Sequence, residues 1–109
     1  MPLHFGEIVL IRMQFHQSAG AKVRPVLILL DTEDDDFVAA PITSRLRSSA
    51  FDFAIAEWRS AGLNTISSVR IHKLTVLPKT DLIRVIGVLA QEDRERFAEM
   101  VCKAFCPEA

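Results

Sequence analysis

Arg24-Pro25 and Pro41-Ile42-Thr43-Ser44 hold the side chains of this sequence best suited to chemistry. Arg24-Pro25 opens the run Val26-Leu27-Ile28-Leu29-Leu30, and Pro41-Ile42-Thr43-Ser44 closes the run Phe37-Val38-Ala39-Ala40. Read as two strands joined by a tight acidic turn, these runs bring an arginine and a threonine hydroxyl to the same edge of a small sheet. Arginine is permanently charged and offers a planar fork of donors. A hydroxyl adds a neutral donor beside it. That pair suits work on a phosphate. Two plainer readings stand alongside. Arg24 can sit in a structural ion pair with Asp31 or Glu7, and Thr43 can be a turn hydroxyl that bonds its own backbone.

The elements that must position this pair read mostly as strands. Residues 6–15 alternate and are rich in branched side chains, which predicts a first strand. Gln17-Ser18-Ala19-Gly20-Ala21-Lys22 is a small-residue loop beside the site, either an ordinary connection or a lid over substrate. Residues 26–30 lack a polar interruption and suit a strand buried on both faces. The acidic run 31–36 lacks the ligand spacing and glycine of a calcium loop and reads as a solvated hairpin turn. Residues 37–42 return. Arg45 and Arg47 follow in a polar loop, solvated or extending a phosphate-binding surface.

Phe51-Asp52-Phe53-Ala54-Ile55 alternates as a short strand, with Asp52 on the face away from the phenylalanines. Residues 57–62 read as a helical turn ended by Gly62, with Trp58 as a packing residue. Residues 67–77 are the longest strand candidate. Residues 84–89 form the last strand, with Gly87 at a bulge or a close backbone contact. One helix is predicted over 91–105, where Phe97, Met100, Val101, Ala104 and Phe105 recur at the helical period. Glu92 and Asp93 favour the positive end of its dipole, and Ala90 leaves it without a capping side chain.

The bulk numbers narrow the class. With 109 residues the chain is one domain with a single core, and its 7% aromatic content makes that core aliphatic. Thirteen basic and 14 acidic residues give a net charge of −1, so any nucleic-acid site must be a local patch. No signal peptide or membrane-length apolar run is visible, which predicts a cytoplasmic protein with no membrane partner. Cys102 and Cys106 read as free thiols on one helix face, one packed and one frayed. His4, His16 and His72 lie too far from them in sequence to complete a metal site, so no metal and no cofactor are expected.

Five segments in order carry a resemblance. Gly6-Glu7-Ile8-Val9-Leu10-Ile11, Lys22-Val23-Arg24-Pro25-Val26-Leu27-Ile28-Leu29, Pro41-Ile42-Thr43-Ser44, Gly62-Leu63 with Ser67-Ser68-Val69-Arg70-Ile71-His72-Lys73-Leu74-Thr75-Val76-Leu77, and Ile86-Gly87-Val88-Leu89-Ala90-Gln91-Glu92-Asp93 resemble the PemK/MazF family of toxin endoribonucleases. The match runs from about residue 5 to residue 105. It implies a mainly β fold, an SH3-like antiparallel β-barrel of the PemK/MazF/CcdB type with a C-terminal α-helix. It also implies a type II toxin that cleaves single-stranded RNA at a short preferred sequence, leaving a 2′,3′-cyclic phosphate without a metal. A homodimer and a cognate antitoxin are the implied partners.

In the family the arginine of the Arg-Pro pair and the threonine of the Pro-x-Thr stretch are catalytic, and Arg24 and Thr43 occupy those positions. Some members carry an acidic residue in the preceding loop, where this chain has none. His16 is the only titratable base there, with an unperturbed pKa of about 6.5. Lys22, Ser44, Arg45, Arg47 and Arg70 are further candidates for RNA contacts. Two alternatives remain at this stage: a non-catalytic CcdB-like module acting on DNA gyrase, and a degenerate member that is folded but inactive.

Overall fold

The computed structural model describes residues 2–14, 21–46 and 48–107. His16, the loop 15–20 and Arg47 fall outside them, so the readings attached to these residues are not addressed by it.

Three long strands form the centre: β1 (Glu7–Gln14), β2 (Ala21–Asp31) and β3 (Asp36–Thr43). They are followed by β4 (Asp52–Ala54), β5 (Ser68–Arg70), β6 (Thr75–Pro78) and β7 (Leu82–Val88), and the chain closes on α1 (Gln91–Phe105). The antiparallel path runs β4-β5-β3-β2-β1-β7, and β6 also pairs with β3. β3 therefore serves two partners. Its first half, through Ala39, pairs with β6, and Ile42 and Thr43 pair with β5.

This division corrects the reading of 67–77 as one strand. The segment is cut by a 3-10 turn at Ile71–Lys73. The turn lets Ile71 sink fully into the core while its N–H bonds the Phe51 carbonyl at 2.9 Å. After the turn the chain resumes antiparallel pairing with β3 as β6.

Apolar clusters lie on both faces of the central strands. One holds Ile8, Leu27, Ala40, Phe53 and Phe97 beneath α1. The other holds Val9, Ile11, Val26, Ile28 and Phe37, with Leu77 of β6 and Leu82 and Val85 of β7 packed against it. β6 and β7 thus line one apolar interior, which gives the SH3-like, barrel-like class expected from the resemblance, although the ladder itself stays open. Central strands covered on both faces explain why residues 26–28 carry no polar side chain. Leu30, at the far end of the run, is exposed.

The helix occupies the predicted span. Phe97 is fully buried, with ring centroids 5.5 Å from Phe5 and 5.3 Å from Phe53. Phe105 is exposed, because the last turn outruns the sheet, so it does not belong to the packing stripe. Cys102 and Cys106 are both exposed free thiols, where one was expected to be packed. The acidic turn is held by its own side chains. Asp31 accepts from the Glu33 N–H at 2.8 Å, Asp34 accepts from the Asp36 N–H at 2.9 Å, and Glu33 takes a left-handed φ of 62°.

Asp31 also accepts from the Leu3 N–H and pairs with Lys79, each at 2.8 Å. It is therefore a tie between three segments, and it is committed to a cation other than Arg24. Lys79 and these N–H donors, the lysine first, hold its carboxyl far below the usual carboxylate range.

Candidate active site

The register of the β2–β3 hairpin decides where Arg24 and Thr43 lie. Val26 pairs with Pro41 and Leu27 with Ala40. Extending that register two residues past the last pair sets Arg24 level with Thr43. Both prolines stand at this point, and neither has an N–H for the ladder, so the β2–β3 pairing ends beside the two candidate side chains. Arg24-Pro25 is not where β2 starts, however. β2 begins at Ala21, because residues 21–25 pair with β1 as far as Gln14 opposite Ala21.

A cleft of about 560 Å³ opens at this edge. Arg24, Pro25, Thr43, Ser44 and Arg45 contribute its cationic side, and Leu10, Ile42, Leu63 and Ile86 contribute apolar surface. Gly62, Asn64, Thr65 and Ser67 add a neutral polar wall. No carboxylate and no histidine is among the described residues that line it. Two guanidinium groups, those of Arg24 and Arg45, stand on one side of this lining, which favours an anion there. Donors and positive charge of this kind suit a phosphate and charge that grows on it.

Thr43 makes the backbone turn foreseen as its plainer role. Its hydroxyl accepts from the Arg45 N–H at 3.1 Å. That bond uses a lone pair and leaves the hydroxyl proton available for a second acceptor. It also fixes the oxygen in place and seats the Arg45 backbone next to it. The structural and the functional readings of Thr43 are therefore compatible.

The remaining candidates separate. Ser44 and Arg45 share the cleft with Arg24 and Thr43. Lys22 is exposed on β2 two residues from Arg24, opposite Met13 of β1, and does not line the cleft. Arg70 lies elsewhere: its Nε donates to Asp52 Oδ1 at 3.1 Å and its Nη2 sits 3.2 Å from His72 Nε2. The hydroxyl of Ser49, 2.7 Å from Asp52, holds that carboxyl below its ordinary pKa, with Arg70 adding to the effect. Arg70 is thus committed to a structural pair. Among the described residues no group of three His, Cys, Asp or Glu side chains is placed to hold a metal ion.

The neutral wall was missed in the sequence. Its signals were two glycines read separately. Gly62 takes a φ of +91°, and a Cβ there would meet the Ile86 carbonyl oxygen at 2.3 Å. A Cβ on Gly87 would meet the Ala61 carbonyl oxygen at 2.0 Å. The β1–β7 ladder passes from Ile8–Gly87 to Val9–Val85, so Ile86 is bulged, and the turn 56–62 rests backbone to backbone on that bulge. Asp93 secures the turn from the helix. It is buried and accepts from the Ala56 N–H at 3.3 Å and the Glu57 N–H at 2.8 Å. Its role is a buried acceptor, beyond the dipole contact read from the sequence.

Comparison with known proteins gives one consistent result. The family model described as "PemK-like, MazF-like toxin of type II toxin-antitoxin system" matches residues 4–105. The chain is 33% identical over 79 residues to a protein of Mycolicibacterium smegmatis described as a probable endoribonuclease MazF, covering 69% of this chain and 72% of that one. Among solved structures it is similar to the Mycobacterium tuberculosis toxin MazF-mt6, with a TM-score of 0.71 at 28% identity over 93% of this chain and 99% of that one. An endoribonuclease solved with its cognate antitoxin from a mycobacterial species shares the fold, with a TM-score of 0.75 at 20% identity over the whole of both chains.

Proposed function

The chain belongs to the PemK-like, MazF-like toxin family of type II toxin–antitoxin systems, and from that premise we propose that the Arg24–Thr43 cleft is where it cleaves single-stranded RNA. The observation that carries this reading is the cleft itself. One open groove gathers the arginine and the threonine, with Arg45 and Ser44 beside them and no acidic side chain among its described lining.

RNA contains its own nucleophile. The 2′-oxygen attacks the neighbouring phosphorus, the P–O5′ bond breaks, and a 2′,3′-cyclic phosphate and a 5′-hydroxyl result. One proton leaves the 2′-hydroxyl and one arrives on O5′. Between these events the phosphoryl oxygens carry extra negative charge. Arg24 supplies full charge and two parallel donors to them, and Thr43 donates its hydroxyl proton to a third point. Arg45, fixed to Thr43 through its backbone, adds charge to the approach path. The proton acceptor is assigned to the loop 15–20, where His16 is the titratable group. The phosphate is recognised by charge and the strand must be single, because the attacking 2′-oxygen needs to align with the leaving oxygen, a geometry that duplex RNA resists.

In this reading the protein acts in the cytoplasm as a homodimer, and a cognate antitoxin silences it by covering the RNA surface. No helix among the described residues is long and apolar enough to cross a membrane. The test is digestion of a long RNA in the presence of a chelator, with mapping of the cut ends. Discrete cuts bearing 2′,3′-cyclic phosphate support the proposal. Strict dependence on added Mg²⁺ or Mn²⁺, or an absence of cuts, refutes it and leaves a binding module or an inactive relative.

A further inference from the structure

We propose that Asn64, on the neutral wall of the cleft, reads the identity of a base next to the cleaved phosphate. This rests on the reading of the cleft as the RNA-cleaving site. The charge distribution divides the labour. Both arginines among the described lining residues come from the β2–β3 edge, so the phosphate is drawn to that side. The nucleobase, neutral and edged with donors and acceptors, is left to the wall that carries no charge.

Asn64 has the right chemistry and the right support. Its amide offers donors and an acceptor at once, the pattern that matches a base edge in a bidentate contact. It is exposed, and among the described residues its amide makes no hydrogen bond that would have to be broken first. The backbone on either side is fixed. Before it, the Gly62 N–H bonds the Arg59 carbonyl and the Leu63 N–H bonds the Trp58 carbonyl, each at 3.1 Å. After it, the Ser67 hydroxyl donates to the Thr65 carbonyl at 2.8 Å. Asp93 anchors the start of the turn, and the contact of Gly62 with the Ile86 carbonyl fixes its end. A free polar side chain on an immobilised backbone loses little entropy on binding and tolerates little misfit, which is what discrimination requires.

The amide does not select a base by itself, because it can face its donor or its acceptor either way. Substitution makes the prediction directional. Asn64→Asp leaves only acceptors, which fit the two N–H donors on the guanine edge and exclude the carbonyl-rich edge of uracil. Asn64→Ala removes both contacts.

The experiment uses the full chain and a pool of single-stranded RNAs randomised around the cut, sequenced after partial digestion. The readout is the ratio among the four bases at each position, which a uniform loss of activity leaves unchanged. The wild type is expected to prefer one base by about tenfold or more at one position, the scale of a good bidentate contact. Asn64→Ala should flatten that position alone, and Asn64→Asp should re-rank it towards guanine. In parallel, the binding of RNAs with a 2′-deoxy nucleotide at the cut is measured by fluorescence anisotropy. Cutting whose base ranking ignores both substitutions overturns this inference and leaves the cleavage reading standing. Base-ranked binding that responds to Asn64, in a protein that cuts nothing, supports this inference and overturns the cleavage reading. Neither cutting nor base-ranked binding overturns both.

Discussion

Gly87→Ala tests the backbone contact on which the neutral wall rests. The added Cβ would lie 2.0 Å from the Ala61 carbonyl oxygen and 2.5 Å from its carbon. Ordinary contact begins at 3.4 Å, so the two backbones must part by about 1.4 Å. Neither side has a flexible side chain to swing away. β7 is hydrogen-bonded to β1, and the 56–62 turn is pinned by Asp93. Overpacking of this kind costs about 1–3 kcal/mol, and with rigid partners the upper end applies. At about 4–8 °C per kcal/mol for a domain near this size, the thermal midpoint should fall by about 10–20 °C. The displaced turn carries the cleft wall with it, and a misplacement of about 1 Å costs up to about a hundredfold in rate. The assays are thermal unfolding by circular dichroism and single-turnover RNA cleavage at a temperature where both proteins are folded. A variant that melts within about 2 °C of the wild type and cuts RNA at the wild-type rate would falsify the argument that this contact positions the site.

Three further outcomes are expected. Arg24→Ala should lower single-turnover cleavage by about a hundredfold or more with the fold intact, Thr43→Ala should cost less, and Arg24→Lys should not restore the rate, because a point charge cannot reproduce the fork; wild-type rates for Arg24→Ala would move the site elsewhere. Phe97→Ala should lose about 3–5 kcal/mol in denaturant unfolding, whereas the exposed Phe105→Ala should change stability little, and equal losses for the two would contradict the packing described. Asp31 has a folded-state pKa held below its unfolded value by Lys79 and the Leu3 and Glu33 N–H groups, so its stabilisation is complete above the unfolded value of about 3.9 and is lost as pH falls through the folded one. The stability gap between wild type and Asp31→Asn should therefore be wide at pH 7 and narrow in strong acid, and a gap independent of pH would show that the tie is not electrostatic.

What the sequence revealed followed from period and chemistry. The helix span of α1 was legible because its apolar stripe stands alone in a chain of strands. The hairpin was legible because two apolar runs flank an acidic turn, and the placing of Arg24 and Thr43 at one edge came with it. The misses are tertiary. β2 starts early because β1 extends its partner ladder to residue 14, and nothing local to Lys22 announces this. The break at Ile71 exists because β3 changes partners, which alternation along 67–77 does not record. Asp93 looked like any acid in a first helical turn; its burial depends on a turn more than 30 residues earlier. The wall that carries Asn64 went unnoticed because it forms where Gly62 meets β7, a contact between segments that the sequence separates.

The two apolar clusters, one on each face of the same central strands, also limit where this protein can change. A strand wedged between two packed layers has few idle positions along its middle, where neighbouring side chains answer to opposite layers. Novelty is confined to the rim, where strands outrun their cover and the chain turns. Arg24, Thr43 and Asn64 lie on that rim, exposed or half-buried and in neither apolar cluster. A scan of all single substitutions should therefore draw the map directly, with intolerance along the middle of β1, β2 and β3 set by stability, and a separate band at the strand ends where variants fold normally and differ only in what they do.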